Sequence, residues 1–185
     1  MFIQTETTPN PATLKFLPGR PVLPGAPLDM RDRAAAAQSP LAERLFDIEG
    51  VSGVFLGADF IAVTKADAEW PHIKPAILGA IMEHFMEGGP VLRDGFEAGE
   101  EAAESFDAAD AETVATIKEL IETRVRPAVA NDGGDITFRG FKDGVVYLNM
   151  KGACSGCPSS TATLRHGIEN LLRHFVPDVT EVRAV

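Results

Sequence analysis

Apolar and polar positions change period several times along the chain, and each change marks an element. Phe2 to Glu6 and Leu14 to Leu17 read as short strands, parted by Thr7-Thr8-Pro9-Asn10-Pro11, whose prolines and Asn favour a turn. Pro18-Gly19-Arg20-Pro21 ends the second strand, and Pro24-Gly25-Ala26-Pro27 and an Ala-rich stretch from Ala34 to Ala37 follow. Ser39 predicts an N-cap, Pro40 the first helical position, and Leu41, Leu45 and Phe46 the buried face of a helix that Gly50 closes. Val51, Val54 and Leu56, then Phe60, Ile61 and Val63, predict a hairpin turning at Gly57-Ala58-Asp59. Ile73, Ile77, Leu78, Ile81, Met82 and Phe85 then recur at helical spacing as far as Gly88-Gly89. The order over residues 1–88 is ββαββα.

After Glu87 there is almost nothing apolar to bury. Glu97, Glu100, Glu101, Glu104, Asp107 and Asp110 alternate with Ala and Gly, which predicts a flexible acidic linker over residues 89–110. Periodicity returns with Val114, Ile117, Leu120, Ile121 and Val125 on one helical stripe, ending around Arg126-Pro127-Ala128-Val129-Ala130. Asn131-Asp132-Gly133-Gly134-Asp135 is a turn cluster. Ile136 and Phe138 lead a strand, Lys142-Asp143-Gly144 turns it, and Val145 to Met150 returns. Leu164, Ile168, Leu171, Leu172 and Phe175 form a second helical stripe, and Val179 to Val182 a last short strand. Residues 111–185 are therefore αββαβ. The expected fold class is α+β, as two small domains joined by the acidic linker.

The chemistry concentrates in one loop. Gly152-Ala153-Cys154-Ser155-Gly156-Cys157-Pro158-Ser159-Ser160 holds both cysteines of the chain, between an alternating strand and a helix start. Pro158 suits the first helical turn, where its missing N–H costs nothing, and Ser159, Ser160 and Thr161 offer capping oxygens. Thiols beside a helix N-terminus are biased toward thiolate, the form that binds metal or attacks disulfides, and Lys151 adds positive charge. Gly152 and Gly156 suit the tight geometry and N–H donation to sulfur.

Composition narrows the reading. The 185 residues are 45% hydrophobic with a net charge of −10, and the mean hydropathy is +0.02. No apolar run approaches the roughly 18 residues of a membrane span, and the charge argues against nucleic-acid or anionic-membrane partners. The N-terminus has neither a secretory pattern nor an Arg-rich transit segment, which points to a cytoplasmic bacterial protein or the processed form of a mitochondrial one. Two cysteines make no disulfide scaffold, and in a reducing compartment such a pair binds metal or does redox work. A thiolate metal centre commonly takes four ligands, and this chain supplies two. Either two protomers share a centre, each giving Cys154 and Cys157, or the other ligands come from a thiol such as glutathione, from water or from a partner. Zinc shared by two chains uses the same donor set. The main rival is a thioredoxin-like dithiol. Against it, no parallel βαβ unit is evident around the pair, and Pro158 follows the cysteines instead of lying between them. A structural Cys154–Cys157 disulfide closes too small a loop to stabilise much.

With these residues in view, the C-terminal half resembles the NifU C-terminal domain. The resemblance rests on Arg126-Pro127-Ala128-Val129, Asp132-Gly133-Gly134-Asp135 and Gly152-Ala153-Cys154-Ser155-Gly156-Cys157-Pro158. The N-terminal half resembles the Nfu N-terminal domain in Thr8-Pro9-Asn10-Pro11, Leu14-Lys15-Phe16, Asp59-Phe60-Ile61 and Val63-Thr64-Lys65, with Ala62 standing where the family pattern has Thr. The resemblance covers nearly the whole chain apart from the acidic linker. It implies an iron–sulfur cluster scaffold or carrier in which Cys154 and Cys157 are the metal and cofactor ligands. It further implies a labile 4Fe–4S cluster, or a 2Fe–2S one, bridged in a homodimer. The implied partners are apo iron–sulfur client proteins and upstream cluster assembly proteins. For residues 1–88 the expected role is partner docking or modulation of dimerisation.

Other tempting residues have plainer readings. His166 and His174, on the helix after the Cys loop, read as a solvated or salt-linked face, as do His72 and His84. Trp70 before Pro71 reads as a packing residue at a helix start, and Asp132 and Asp135 as turn residues and not an acid–base pair. No Ser-His-Asp set or phosphate-binding Gly loop is recognisable, so an enzyme is not expected.

Overall fold

A computed structural model describes residues 1–96, 103–155 and 158–185, and only the backbone of Pro158 and Ser160. Gly156 and Cys157, one of the two expected ligands, lie outside the described residues. The chain forms two units, Met1–Glu100 and Glu101–Val185.

The first unit is an antiparallel five-stranded sheet carrying three helices. Its strands are β1 (Gln4–Thr7), β2 (Thr13–Leu17), β3 (Leu28–Met30), β4 (Val51–Leu56) and β5 (Ile61–Lys65), in spatial order β1-β2-β5-β4-β3. The β1–β2 turn is held by side chains: Thr8 Oγ1 donates to the carbonyls of Asn10 and Thr13, and Asn10 Oδ1 accepts from the Ala12 N–H at 3.0 Å. The helices are α1 (Arg33–Ala36), α2 (Pro40–Phe46) and α3 (Trp70–Glu87). Ser39 caps α2 as expected, accepting from the Ala42 N–H at 3.1 Å, and Pro40 opens it. Gly88, at φ 71°, ends α3 in the left-handed conformation that glycine adopts without steric cost. Leu41, Leu45, Ile73, Ile77 and Ile81 bury against Phe16, Val54, Leu56, Ile61 and Val63 of the sheet. The sequence pattern does not reveal β3, because three residues between Pro27 and Arg31 are too few to show an alternation.

The second unit is a mixed four-stranded sheet in the order β6-β7-β8-β9. Its elements are β6 (Ser105–Phe106), α4 (Ala111–Leu120), a π-helical turn (Ile121–Val125), α5 (Arg126–Asn131), β7 (Gly134–Lys142), β8 (Val145–Gly152), α6 (Pro158–Phe175) and β9 (Glu181–Ala184). β7 and β8 form an antiparallel hairpin whose turn residues Asp143 and Gly144 both have positive φ, 50° and 81°, the conformation that closes a tight hairpin. Its inward residues, Ile136, Phe138, Val146 and Leu148, meet Ile117, Ile121, Val129, Ile168 and Leu172 from the helices. The Ile121–Val125 turn widens just before Pro127, which lacks the N–H that would close onto Thr123.

Four features differ from the sequence expectation. β8 and β9 are parallel, so β8–α6–β9 is a parallel βαβ unit with the Cys loop at its strand-to-helix crossing. The hydropathy pattern does not reveal it, because parallel and antiparallel strands share one periodicity. Phe175 is not core: it is 45% exposed, with the Arg124 guanidinium 5.0 Å from its ring centre. His84 is buried, its helical position facing inward beside Phe85. Both ends of the stretch that reads as linker have defined structure. Arg93 donates from its backbone to the Gln38 carbonyl and from its side chain to Glu43, and Ser105–Phe106 pairs with Gly140 and Phe141 of β7.

Leu148, fully buried in β8, tests this packing. Leu148→Ala should cost about 3 kcal/mol through lost burial and the cavity left behind. Trp70 and Tyr147, each the single residue of its type, report on the two units separately. In denaturant titrations the Tyr147 transition should move to lower concentration while the Trp70 transition stays in place.

Candidate functional site

The site is built where β7 begins and β8 ends. Their register sets Gly134 opposite Gly152 and Asp135 opposite Lys151. At the end of β8, Gly152 takes φ 70° and reverses the chain. The Ser155 N–H and hydroxyl both donate to the Gly152 carbonyl, at 3.1 and 2.9 Å. The Ala153 N–H donates to the Gly133 carbonyl at 3.2 Å, tying the loop to the end of α5. Cys154 is thereby turned inward. It is 6% exposed and belongs to the core of the unit.

Close approach is what admits it. A Cβ on Gly134 would lie 2.6 Å from the Lys151 carbonyl oxygen and 2.8 Å from Cys154 Sγ, so no larger residue fits without displacing the loop. Next to it, Asp135 is 6% exposed and held by Arg126: Nε donates to Oδ1 at 2.8 Å and Nη2 to Oδ2 at 2.9 Å. Arg126 Nη1 also donates to Glu122 at 2.8 Å, and this carboxylate company raises the guanidinium above its ordinary value, with the Asp135 bond the largest cause. Asp135 is a strand residue carrying a fixed ion pair, not a turn residue as the sequence predicts. The sequence offers no sign of Arg126 as its partner, because the two meet only through the packing of α5 on β7.

The electrostatics of Cys154 reverse the expectation from a helix N-terminus. Burial, with the carboxylates of Asp132 and Asp135 adding, pushes the thiol up to about 12 from 9.0. The residue precedes the first helical position, Pro158, by four in sequence. Sulfur excluded from water beside two negative charges keeps its proton. The free site therefore holds Cys154 as a neutral thiol.

Two family models match the chain: "Scaffold protein Nfu/NifU N terminal" over residues 3–88 and "NifU-like domain" over residues 117–183. A human mitochondrial protein named as the NFU1 iron-sulfur cluster scaffold homolog is 49% identical over 187 residues, covering 100% of this chain and 72% of that protein. The chain belongs to the Nfu/NifU-like family. NifU-like protein 4 of Arabidopsis thaliana mitochondria is 50% identical over 186 residues, covering 98% of this chain and 65% of its own length. The solution structure of a NifU-like protein from Saccharomyces cerevisiae aligns at 28% identity over 51% of this chain and 86% of that one, with a TM-score of 0.46.

The remaining candidates in this Nfu/NifU-like chain do not join the site. His166 and His174 are exposed on α6 and His72 is exposed on α3. His84 is buried, and its imidazole falls below the ordinary value through burial, with Arg44 adding. Trp70 starts α3 and donates Nε1–H to the Pro11 carbonyl at 3.2 Å. Among the described residues no group of three or more His, Cys, Asp or Glu is placed to hold a metal ion, and no helix is long and apolar enough to cross a membrane.

The raised thiol has a measurable consequence. In a Cys157→Ala variant, alkylation of Cys154 should quicken about tenfold per unit from about pH 7 to about pH 10, without a plateau near the ordinary thiol value. A plateau at or below about pH 9 would contradict the buried, carboxylate-flanked seat. The folded state holds this proton more tightly than the unfolded one, so the stability contributed is complete below the ordinary value of 9.0 and is lost as pH rises toward 12.

Proposed function

We propose that this protein is an iron–sulfur cluster scaffold and carrier, not an enzyme. Cys154 and Cys157 of two protomers together hold one labile 4Fe–4S cluster and pass it to apo-proteins. The observation that carries the reading is the seat of Cys154: one of only two cysteines in the chain, on the loop between β8 and α6, buried against Gly134 and beside the carboxylates of Asp132 and Asp135. The scaffold names of relatives at about half identity support it.

The cluster is cargo, and the site's electrostatics suit cargo. Binding requires Cys154 to lose a proton that its surroundings favour keeping, so part of the binding free energy goes into deprotonation. During transfer, thiolates of the client displace those of Cys154 and Cys157, which take up protons as they leave the iron. No electron moves in this ligand exchange. Burial and the carboxylates of Asp132 and Asp135 favour the protonated product at Cys154 and thereby favour release. Four ligands drawn from two chains add a second route, since separation of the protomers removes half the set. The Met1–Glu100 unit serves to dock clients or upstream assembly proteins. The relatives' names include the mitochondrion, which fits a processed organellar form as well as a bacterial cytoplasmic one.

The dithiol reading draws support from the parallel β8–α6–β9 unit around the cysteines. The raised Cys154 thiol counts against Cys154 as the attacking thiol of such a pair, because an oxidoreductase lowers that group. Zinc would satisfy the same four thiolates, so zinc in a preparation does not discriminate.

Transfer to an apo-aconitase decides the matter. The cluster-loaded protein should restore aconitase activity faster than the same amounts of free iron and sulfide, and Cys154→Ala should lack this advantage. Equal rates with loaded protein and free ions would contradict a carrier.

A further inference from the structure

Helical threonines in this chain have a habit. Thr116, Thr123 and Thr163 each donate their hydroxyl to the carbonyl four residues back, at 3.2, 2.7 and 3.0 Å, the common local bond of a helical Thr. Thr161, in the first turn of α6, reaches seven residues back: its Oγ1 donates to the Cys154 carbonyl at 2.7 Å. The bond ties the first turn of α6 to the backbone of Cys154. On one side Cys154 is fixed to β7 through the Gly134 approach and the Ala153 N–H bond to Gly133. On the other, Thr161 is fixed by the helix.

We propose that Thr161 is a positioning residue for the cluster, a strap from α6 that holds the Cys154 backbone in place. This rests on the carrier reading above. A chelating pair binds more firmly when its donors are already held in place, because less conformational freedom is lost on binding. The strap acts on the backbone of a ligand and touches no cargo. Removing it leaves both thiols intact while the Cys154 end of the loop loses its tie to the helix. Thr161 thus tunes how long the cluster stays, and the Ser155 hydroxyl bond to Gly152 closes the turn on the opposite side of Cys154.

Full-length protein, Thr161→Val and Thr161→Ser should be reconstituted anaerobically, and cluster loss to an iron chelator followed by visible circular dichroism. Thr161→Val, which keeps the shape and removes the donor, should lose cluster about fivefold faster, the factor that one net hydrogen bond supplies. Thr161→Ser should match the parent. Alkylation of Cys154 in metal-free protein, on a Cys157→Ala background, should also quicken with Thr161→Val. Equal cluster loss in parent and Thr161→Val overturns the proposal, as does Thr161→Ser behaving like Thr161→Val. A lowered unfolding midpoint with both rates unchanged also overturns it, since that is a merely structural role. If the parent takes up no cluster, the carrier reading fails, and the alkylation comparison still decides whether the strap exists.

Discussion

A cysteine can sit under the edge of a β-hairpin only if the strand beside it gives up a side chain. That constraint, met by Gly134, governs the C-terminal unit of this protein. The sulfur of Cys154 occupies the space a Cβ would need, and the surrounding structure holds the two strands in the register that creates this space. Arg126 matters here because it neutralises Asp135, the residue next to Gly134, with a two-pronged ion pair at the base of β7. A buried carboxylate without that partner would cost several kcal/mol. The widened turn at Ile121–Val125, followed directly by α5, delivers the guanidinium to that point.

On the proposed carrier reading, the same seat gives a reason for the site to hold its cargo loosely. Structural metal sites gather all their ligands from one fold and stabilise them as thiolates. Here one chain offers two cysteines, and the described one is buried beside carboxylates that favour the thiol. In the proposed carrier reading, affinity is thereby lowered in a way that depends on protons, with the cluster competing with them for the sulfur. A carrier needs such a balance, and an electron-transfer centre does not.

Local chemistry is legible in this sequence to the degree that it is local. Ser39 and Pro40 announce α2, Asp143-Gly144 announces the β7–β8 turn, and the Cys154–Cys157 loop falls between an alternating strand and a helical stripe as predicted. What the sequence conceals depends on contacts between distant residues. Strand direction is one case: the parallel pairing of β8 with β9 leaves no mark on either strand's hydropathy, and its presence in the structure removes one argument against a dithiol enzyme. The Arg126–Asp135 pair is another, visible only once α5 packs on β7. Helix position alone suggests a thiolate at Cys154, whereas burial and two carboxylates outweigh the dipole. Phe175 continues the periodic stripe yet stays out of the core, half-exposed with the Arg124 guanidinium over its ring. His84, polar by type, is drawn inward by its place in the apolar repeat of α3.

Anaerobic reconstitution with iron and sulfide, read by Mössbauer spectroscopy together with the mass of the species in solution, bears most directly on the shared-cluster claim. The account predicts one 4Fe–4S cluster for every two chains, with the metal-free protein running as a monomer. A cluster held stoichiometrically by a single chain would contradict it. So would a failure to assemble any cluster, accompanied by a readily cycling Cys154–Cys157 disulfide.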